Sequence, residues 1–293
     1  MIKTEDIRIR DPFVLAVEEE QAYYLFGTTD ENVWEGKGTG FDVYKSRDLI
    51  NWEGPSAAFR PGKDFWADEN FWAPEVHFYK GTYYMLASFK KNGIPRGTQI
   101  LSSRKPEGPY QPYTEGVITP EGWECLDGTL HIGKEGEPWL IFSREWTQVG
   151  DGEIYGVRLS ENLKAREGEP VLLFKASQTP WAENVAPDKD TGGIRYVTDG
   201  PFLYDEEDGS LKLMWSSFYN GEYAIGSAES SSGDVTGPWI HEESPFYHKD
   251  GGHGMIFRAF DGRRILAIHA PNVRHMERPR FICIENGNKA SDR

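Results

Sequence analysis

The chain has little cysteine, few long apolar runs and a deficit of basic residues. Its two cysteines, Cys125 and Cys283, make no disulfide framework, which predicts a reducing compartment. No apolar run is long enough for a transmembrane helix, and the N-terminal MIKTEDIRIRDPF lacks the apolar core of a signal peptide, so we predict a cytoplasmic protein. The 47 acidic and 32 basic residues give a net charge of -15, which argues against nucleic acid and anionic membrane as partners, and we predict neither.

Helical periodicity is also nearly absent, and short alternating strands with Gly, Pro, Asp and Asn between them take its place. Five segments share one pattern: a short polar motif containing Pro or Gly, an apolar strand, a turn and an aromatic-rich second strand. These segments begin at Asp11, Ala73, Asp127, Asp199 and His253. Each can be read as four strands, except that the fourth strand of the last segment is either missing or supplied by residues 1–9.

A four-stranded unit repeated radially is a β-propeller blade. We therefore predict an all-β fold: a five-bladed β-propeller with four-stranded antiparallel blades around a central axis. The absence of any linker-like stretch predicts that residues 1–293 form a single domain.

The first residue of each segment is expected to lie near the axis, because the first strand of a propeller blade lines the central channel. Asp11, Asp127 and Asp199 would then converge. Each could separately be a turn former before Pro or Gly, but their shared repeat position favours a site. Crowded carboxylates raise one another's pKa, so one holds a proton while another is ionised, as glycoside hydrolysis requires. His253, between glycines, is expected on the same axis.

Five motifs in order at blade spacing carry a resemblance to a known family. They are RDPF at 10–13, FWAPEVHFYKGTYYM at 71–85, LDGTLH at 126–131, TDGPFLY at 198–204 and GGHGM at 251–255. On these motifs the chain resembles glycoside hydrolase family 43, whose members are five-bladed β-propeller enzymes acting on arabinose- and xylose-containing glycans. The resemblance covers essentially the whole chain.

The resemblance implies a role for each aspartate. Asp11 matches the general base that activates water, Asp127 the carboxylate that tunes the pKa of the acid, and Asp199 the general acid. The family usually has Glu at the acid position, and the Asp here is one methylene shorter. Two other carboxyl groups are therefore alternative proton donors: Glu145 in SREW and Glu183 in the irregular segment 175–198.

Further residues are implied around the carboxylates. Trp72 matches a position that flanks the sugar pocket, with inter-blade core as its alternative. Separately from the resemblance, Arg278 in ERPRF is a candidate substrate-binding residue that would pair with a carboxylate near the axis, with a surface ion pair as its alternative. His253 matches a histidine that lies beside a calcium or other cation with a structural and electrostatic role. No cofactor is expected for the chemistry. Segment 175–198 is expected to be a rim loop over the site.

The predicted function is that of an exo-acting, inverting glycoside hydrolase that releases a terminal pentose, foremost an α-L-arabinofuranosidase. The substrate would be a small oligosaccharide or a polysaccharide side chain of plant type. β-Xylosidase activity and a glycan-binding propeller without turnover are the alternatives. A retaining fructosidase would share the RDP motif and the EC pair at Glu124 and Cys125, but no NDPNG-like nucleophile segment precedes RDP. The oligomeric state is left open.

Overall fold

Five small antiparallel sheets form the computed structural model, which describes residues 1–185, 193–285 and 289–290. The sheets are arranged as the blades of a five-bladed β-propeller, and the predicted fold is confirmed. Four of the sheets have four strands in sequential order, and the first has five. Among the described residues, no helix is long and apolar enough to cross a bilayer.

The strands follow one another blade by blade. The first blade contains β1 (Ile2–Lys3), β2 (Arg10–Val17), β3 (Ala22–Thr28), β4 (Phe41–Ser46) and β5 (Asn51–Phe59). The second contains β6 (Glu69–Tyr79), β7 (Thr82–Lys91), β8 (Ile94–Ser103) and β9 (Gln111–Val117). The third contains β10 (Cys125–Ile132), β11 (Pro138–Arg144), β12 (Glu153–Leu159) and β13 (Arg166–Lys175).

The last two blades have the same order. The fourth contains β14 (Asp199–Asp205), β15 (Leu211–Tyr219), β16 (Glu222–Ser230) and β17 (Trp239–His241). The fifth contains β18 (Gly252–Arg258), β19 (Arg264–Ala270), β20 (Arg278–Glu285) and β21 (Lys289–Ala290). The helical turns within the described residues are short: α1 (Trp146–Val149) and three 3₁₀ turns at Thr4–Asp6, Glu18–Glu20 and Ala176–Gln178.

The fourth strand of the fifth blade is neither missing nor supplied by the N-terminal segment, so both sequence-based alternatives are wrong. Strand β1 pairs with β5 at the outer edge of the first blade, and β21 is the fourth strand of the fifth blade. The chain then crosses to the fifth blade, where the N–H of Ile9 donates to the carbonyl of Glu277 at 3.3 Å. Residues 1–9 therefore join the first and last blades.

The first strand of every blade has a register irregularity near its start, which marks a structural repeat position. The residue at this position adopts a left-handed backbone with φ between 45° and 57°, and we call these the ring positions: Asp11, Ala73, Asp127, Gly200 and His253. Left-handed backbone is unfavourable for residues with a Cβ, so the surrounding contacts must hold it. The equivalent residue in the fourth blade is Gly200, and Asp199 lies one residue before the position that the sequence pattern assigned to it.

The joint between the first and last blades predicts one large stability effect. Trp52 on β5 is fully buried, its indole N–H donates to Thr4 Oγ1 at 3.0 Å, and its ring lies 5.9 Å from that of Phe281. Trp52→Ala is expected to lower the free energy of unfolding by about 3–5 kcal/mol, because it leaves a cavity in the joint. The matched control Phe78→Ala, at a ring that is 58% exposed, should change it by about 0.5 kcal/mol or less. Urea denaturation of the two variants measures both, and equal losses would contradict this account of the joint.

Candidate active site

A cavity of about 430 Å³ opens on the face of the propeller where the first strands begin. All five blades contribute to its wall. Its lining residues are Arg10, Asp11, Val33, Trp34, Trp72, Leu126, Asp127, Glu145, Trp146, Val197, Asp199, Phe218, Tyr223, His253, Asn272 and Arg274. The three aspartates and the histidine predicted from the repeat all lie in this wall.

These four side chains form a compact polar group. His253 Nδ1 lies 3.2 Å from Asp11 Oδ1 and 3.7 Å from Asp127 Oδ2. The backbone N–H of Gly200 donates to Asp127 Oδ2 at 3.0 Å, which brings the neighbouring Asp199 to the same group. A Cβ at Gly200 would lie 2.8 Å from the ring of His253, so this position needs glycine for close approach as well as for its backbone angle.

The ring positions are held by hydrogen bonds that run from blade to blade. The backbone N–H of a ring residue donates to a side chain on the second strand of the preceding blade. Three of these acceptors are hydroxyls: Thr28 for Ala73, Ser88 for Asp127 and Ser216 for His253, at 2.8, 2.9 and 2.8 Å. The fourth is His269 Nδ1, which accepts the N–H of Asp11 at 3.1 Å. These bonds fix the left-handed residues and join the blades at the same points.

The joint between the third and fourth blades departs from this pattern. Ser143 occupies the acceptor position, because it pairs with Leu126 as Ser88 pairs with Trp72. However, Gly200 donates to Asp127 instead, and the buried hydroxyl of Ser143 has no partner among the described residues. A carboxylate of the site therefore replaces a structural hydroxyl at this joint.

Asp11 is surrounded by groups that favour its ionised form. Burial by itself would raise the pKa of this carboxyl, but the charges of His253 and Arg10 and the hydroxyl of Thr28 outweigh it, and the pKa is lowered. Thr28 Oγ1 donates to Asp11 Oδ2 at 2.6 Å. Asp11 is consequently ionised over the neutral range, as a base must be.

The other two aspartates shift in the opposite direction. Burial and the negative charge of Asp11 raise the pKa of Asp127 well above its ordinary value. Burial and the negative charge of Asp127 raise the pKa of Asp199 to about 7, although the hydroxyl of Tyr223, which donates to Asp199 Oδ2 at 2.9 Å, limits the rise. Near neutral pH the site thus holds an ionised carboxylate and a protonated carboxyl group together.

Two residues of this network were missed by the sequence reasoning. Arg10 pairs with the buried Glu277 at 2.9 Å, donates to Asn272 Oδ1 at 3.0 Å and lies 5.0 Å from the ring centre of Trp34. His269 is fully buried, and burial and the charge of Arg10 lower its pKa to about 3, so its imidazole is neutral. Arg10 belongs to the RDPF motif, and His269 lies near the end of a repeated second strand. Their positions in the repeat could therefore have marked both residues as site candidates.

The aromatic prediction at Trp72 agrees with its position in the cavity wall. Its indole N–H donates to the carbonyl of Val33 at 2.5 Å, and its ring lies 5.5 Å from that of Trp34. Trp146 also lines the cavity, whereas Trp66 does not and instead donates to Gln99. One face of the site is therefore aromatic, which suits the C–H face of a sugar ring.

Arg278 does not take the predicted position. Its guanidinium donates to the carbonyls of Glu5 at 3.0 Å and Glu277 at 2.8 Å, outside the cavity. The reason is its place at the start of β20, where the N-terminal segment crosses to the fifth blade. Arg278 therefore does not pair with a carboxylate near the axis, and among the described residues Arg10 and Arg274 are the arginines that line the cavity.

The two alternative proton donors have different surroundings. Glu183 accepts the N–H groups of Asn220 and Gly221 at 2.7 and 2.9 Å, so it fixes the turn between β15 and β16 and does not line the cavity. Glu145 lines the cavity and is paired with Arg96. The central part of the predicted rim loop, residues 186–192, lies outside the described residues. On its flanks, Val197 lines the cavity.

A cation beside His253 remains a prediction. In the described part of the chain, no three His, Cys, Asp or Glu side chains are grouped so that they could bind a metal ion. Calcium prefers oxygen ligands, and the ring nitrogen of His253 faces the carboxylates of Asp11 and Asp127. The side chains present therefore do not form a calcium cage, and an ion there would take most of its ligands from water.

A five-bladed propeller whose axial cavity holds one ionised and one protonated carboxyl group has the features of a propeller-fold glycosidase. The comparison with known families agrees: the model of "Glycosyl hydrolases family 43" matches residues 6–286, and the chain belongs to this family.

Individual relatives are arabinose-active enzymes by name. The chain is 23% identical to the extracellular exo-α-(1→5)-L-arabinofuranosidase ArbA of Cellvibrio japonicus, over 91% of this chain and 80% of that protein. It is 26% identical to the extracellular endo-α-(1→5)-L-arabinanase 1 of Bacillus subtilis, over 83% and 71%. Among solved structures, an endo-arabinase from Bacteroides thetaiotaomicron VPI-5482 is 43% identical, with a TM-score of 0.91 and 99% of each chain covered.

The two kinds of blade joint predict opposite results for matched substitutions. Ser216→Ala removes the acceptor of the N–H of His253 and should lower the free energy of unfolding by about 1–3 kcal/mol, because a buried donor is left unsatisfied. Ser143→Ala, at the equivalent fully buried position, removes a hydroxyl without a described partner. It should lower the free energy of unfolding by no more than about 0.5 kcal/mol or should raise it. Thermal or urea unfolding of both variants decides this, and a larger loss for Ser143→Ala would refute the assignment of Asp127 as the acceptor at this joint.

Proposed function

We propose that this protein is an exo-acting, inverting α-L-arabinofuranosidase that removes terminal arabinose from arabinose-containing oligosaccharides or polysaccharide side chains. The observation that carries the proposal is that two carboxyl groups in one axial cavity differ in protonation. The pKa of Asp11 is lowered, whereas the pKa of Asp199 is raised to about 7. An ionised base and a protonated acid are the two groups that glycoside hydrolysis requires.

Asp11 is proposed as the general base. Thr28 holds one of its oxygens and His253 lies beside the other, so the carboxylate has a fixed orientation. An ionised carboxylate has about four acceptor sites, which leaves room for a water molecule. Asp11 would take a proton from this water as the water attacks the anomeric carbon. Inversion needs a base and an acid about 6.5–9.5 Å apart so that the water fits between base and sugar.

Asp199 is proposed as the general acid. Because Tyr223 donates to its Oδ2, the proton that Asp199 delivers is carried on Oδ1. Asp127 is proposed to keep the proton on Asp199, because repulsion between two neighbouring carboxylates opposes the ionisation of both. Its bond to the N–H of Gly200 fixes the backbone beside the acid. Tyr223 thus holds the carboxyl group of Asp199, and Asp127 holds the backbone of the next residue, Gly200.

The preference for exo action rests on the wall of the cavity, since residues of all five blades surround the carboxyl groups. An endo-acting enzyme needs a cleft through which a chain can continue on both sides. Endo-arabinanase is the second candidate, because the 43% identical structural neighbour carries that description.

Hydrolysis of 4-nitrophenyl α-L-arabinofuranoside is the first test of the proposal. The wild type should release 4-nitrophenol, and Asp11→Asn should lower kcat by roughly 10²- to 10⁴-fold, because the water loses its base. Linear arabinan should yield arabinose without early oligosaccharides, and NMR should show β-arabinose as the first-formed anomer.

Three results would contradict parts of this proposal. Arabino-oligosaccharides as early products would favour the endo alternative, and net retention of configuration would exclude the inverting mechanism. Binding of arabinose-containing oligosaccharides without turnover of any aryl arabinofuranoside or β-xyloside would favour a glycan-binding propeller.

The pH dependence should report the protonation of Asp199. The value of kcat/KM is expected to fall as the pH rises through about 7, because the acid loses its proton. Tyr223→Phe removes a hydrogen bond that favours the ionised form, so the pKa of Asp199 should rise and the falling limb should move to higher pH. Tyr110→Phe, a buried tyrosine that donates to the carbonyl of Pro106, is the control and should leave the limb in place. A limb that moves to lower pH in Tyr223→Phe would be incompatible with this assignment.

A further inference from the structure

A group of charged side chains lies behind the cavity wall between the second and third blades. At its centre is Arg96 on β8, whose side chain is 5% exposed. Arg96 is paired with Glu145, and its Nη1 lies 4.0 Å from a carboxylate oxygen of Glu124. Lys90 Nζ binds the other oxygen of Glu124 at 3.0 Å. Charges at this depth are retained only where they are paired, so the group is built to hold its members in place.

Arg96 also supports the aromatic side of the cavity. Its guanidinium carbon lies 4.0 Å from the ring centre of Trp72, a cation–π contact. The indole N–H of Trp72 is held by the carbonyl of Val33, so the ring is fixed at its edge and against its face. Asn70 Oδ1 accepts a further bond from the guanidinium at 3.3 Å.

Glu145 is the member of this group that faces the cavity. Its side chain is 13% exposed and lines the wall, and Oε2 is the oxygen paired with Arg96. Among the described residues, Oε1 has no hydrogen-bond partner. The backbone N–H of Glu145 donates to the carbonyl of Glu124 at 2.8 Å, which fixes the end of β11. The proposed chemistry does not use this carboxylate, although it lies in the same cavity as Asp199.

We propose that the carboxylate of Glu145 accepts hydrogen bonds from hydroxyls of the sugar that lies against Trp72, which completes a sugar subsite, and that Arg96 is the positioning residue for both side chains. This inference rests on the proposed function and specifies its substrate: the sugar in this subsite carries a free hydroxyl at the position that Glu145 contacts. Hydrogen bonds from hydroxyls to an ionised carboxylate are about twice as strong as neutral ones. A site built for such a hydroxyl discriminates strongly against analogues that lack it.

Glu145→Gln is the main test, because it keeps the shape and an acceptor oxygen but removes the charge. It should raise KM for 4-nitrophenyl α-L-arabinofuranoside about 10- to 100-fold, with a smaller change in kcat. Arg96→Lys should raise KM less, because the charge remains while the planar fork is lost. Lys80→Met, which removes an exposed ion pair with Glu161 on the outer surface, is the control and should leave KM unchanged.

Deoxy analogues of the arabinofuranoside separate a direct contact from a general loss of structure. In the wild type, the analogue that lacks the contacted hydroxyl should show a raised KM. In Glu145→Gln that penalty should shrink, because the two changes remove the same interaction and are not additive. A merely structural role for Glu145 would give the same penalty in both proteins.

Binding to an inactive protein separates this inference from the proposed function. In an Asp11→Asn background, calorimetry with arabinotriose should give a dissociation constant about 10- to 100-fold higher when Glu145→Gln is added. Wild-type binding without turnover would defeat the proposed function but would support the subsite if Glu145→Gln weakened it. A dissociation constant and a KM that both stay within about twofold would overturn the subsite, because a lost charged hydrogen bond predicts more.

Discussion

Hydrogen bonds between neighbouring blades at the ring positions are the interactions on which the rest of the structure depends. Each one starts from a backbone N–H whose residue has a left-handed conformation, and such a conformation is retained only when its surroundings hold it. The acceptor comes from the preceding blade, so the same bond closes the propeller and sets the direction of the ring side chain. The hydrogen bond from the N–H of Asp11 to His269 joins the first blade to the last one. Fold and site are therefore built by one set of bonds.

Electrostatics then shifts the pKa values of similar side chains in different directions. The three aspartates are chemically alike, and all three lose water contacts in the cavity. Asp11 has His253 and Arg10 beside it, and their charges outweigh the cost of burial. For Asp127 and Asp199 the effect of burial is reinforced by a neighbouring negative charge, that of Asp11 for Asp127 and that of Asp127 for Asp199. The direction of each pKa shift follows from which neighbours the blade geometry supplies.

The sequence allowed the fold and the four axial side chains to be predicted, because the repeat of polar start, strand, turn and strand is local and periodic. It could not show that Asp199 precedes the ring position by one residue, because that offset depends on backbone angles at Gly200 rather than on residue types. The position of Arg278 depended on where the N-terminal segment crosses the surface, a long-range contact without a local pattern. Arg10 and His269 lie inside repeated motifs, but each contacts a partner in another blade: Arg10 contacts Glu277 of the fifth blade, and His269 contacts Asp11 of the first blade.

The contact between the third and fourth blades depends on the protonation of a titratable group. At the other joints described, the acceptor is an uncharged hydroxyl or imidazole, which has no part in proton exchange at neutral pH. Here the acceptor is Asp127, and the buried hydroxyl of Ser143, which occupies the acceptor position of the other joints, has no partner among the described residues. A proton gained or lost by this carboxylate therefore changes the strength of a contact between two blades. The protonation of Asp127 and the strength of the contact between the third and fourth blades are therefore thermodynamically linked, and a change in either one shifts the other.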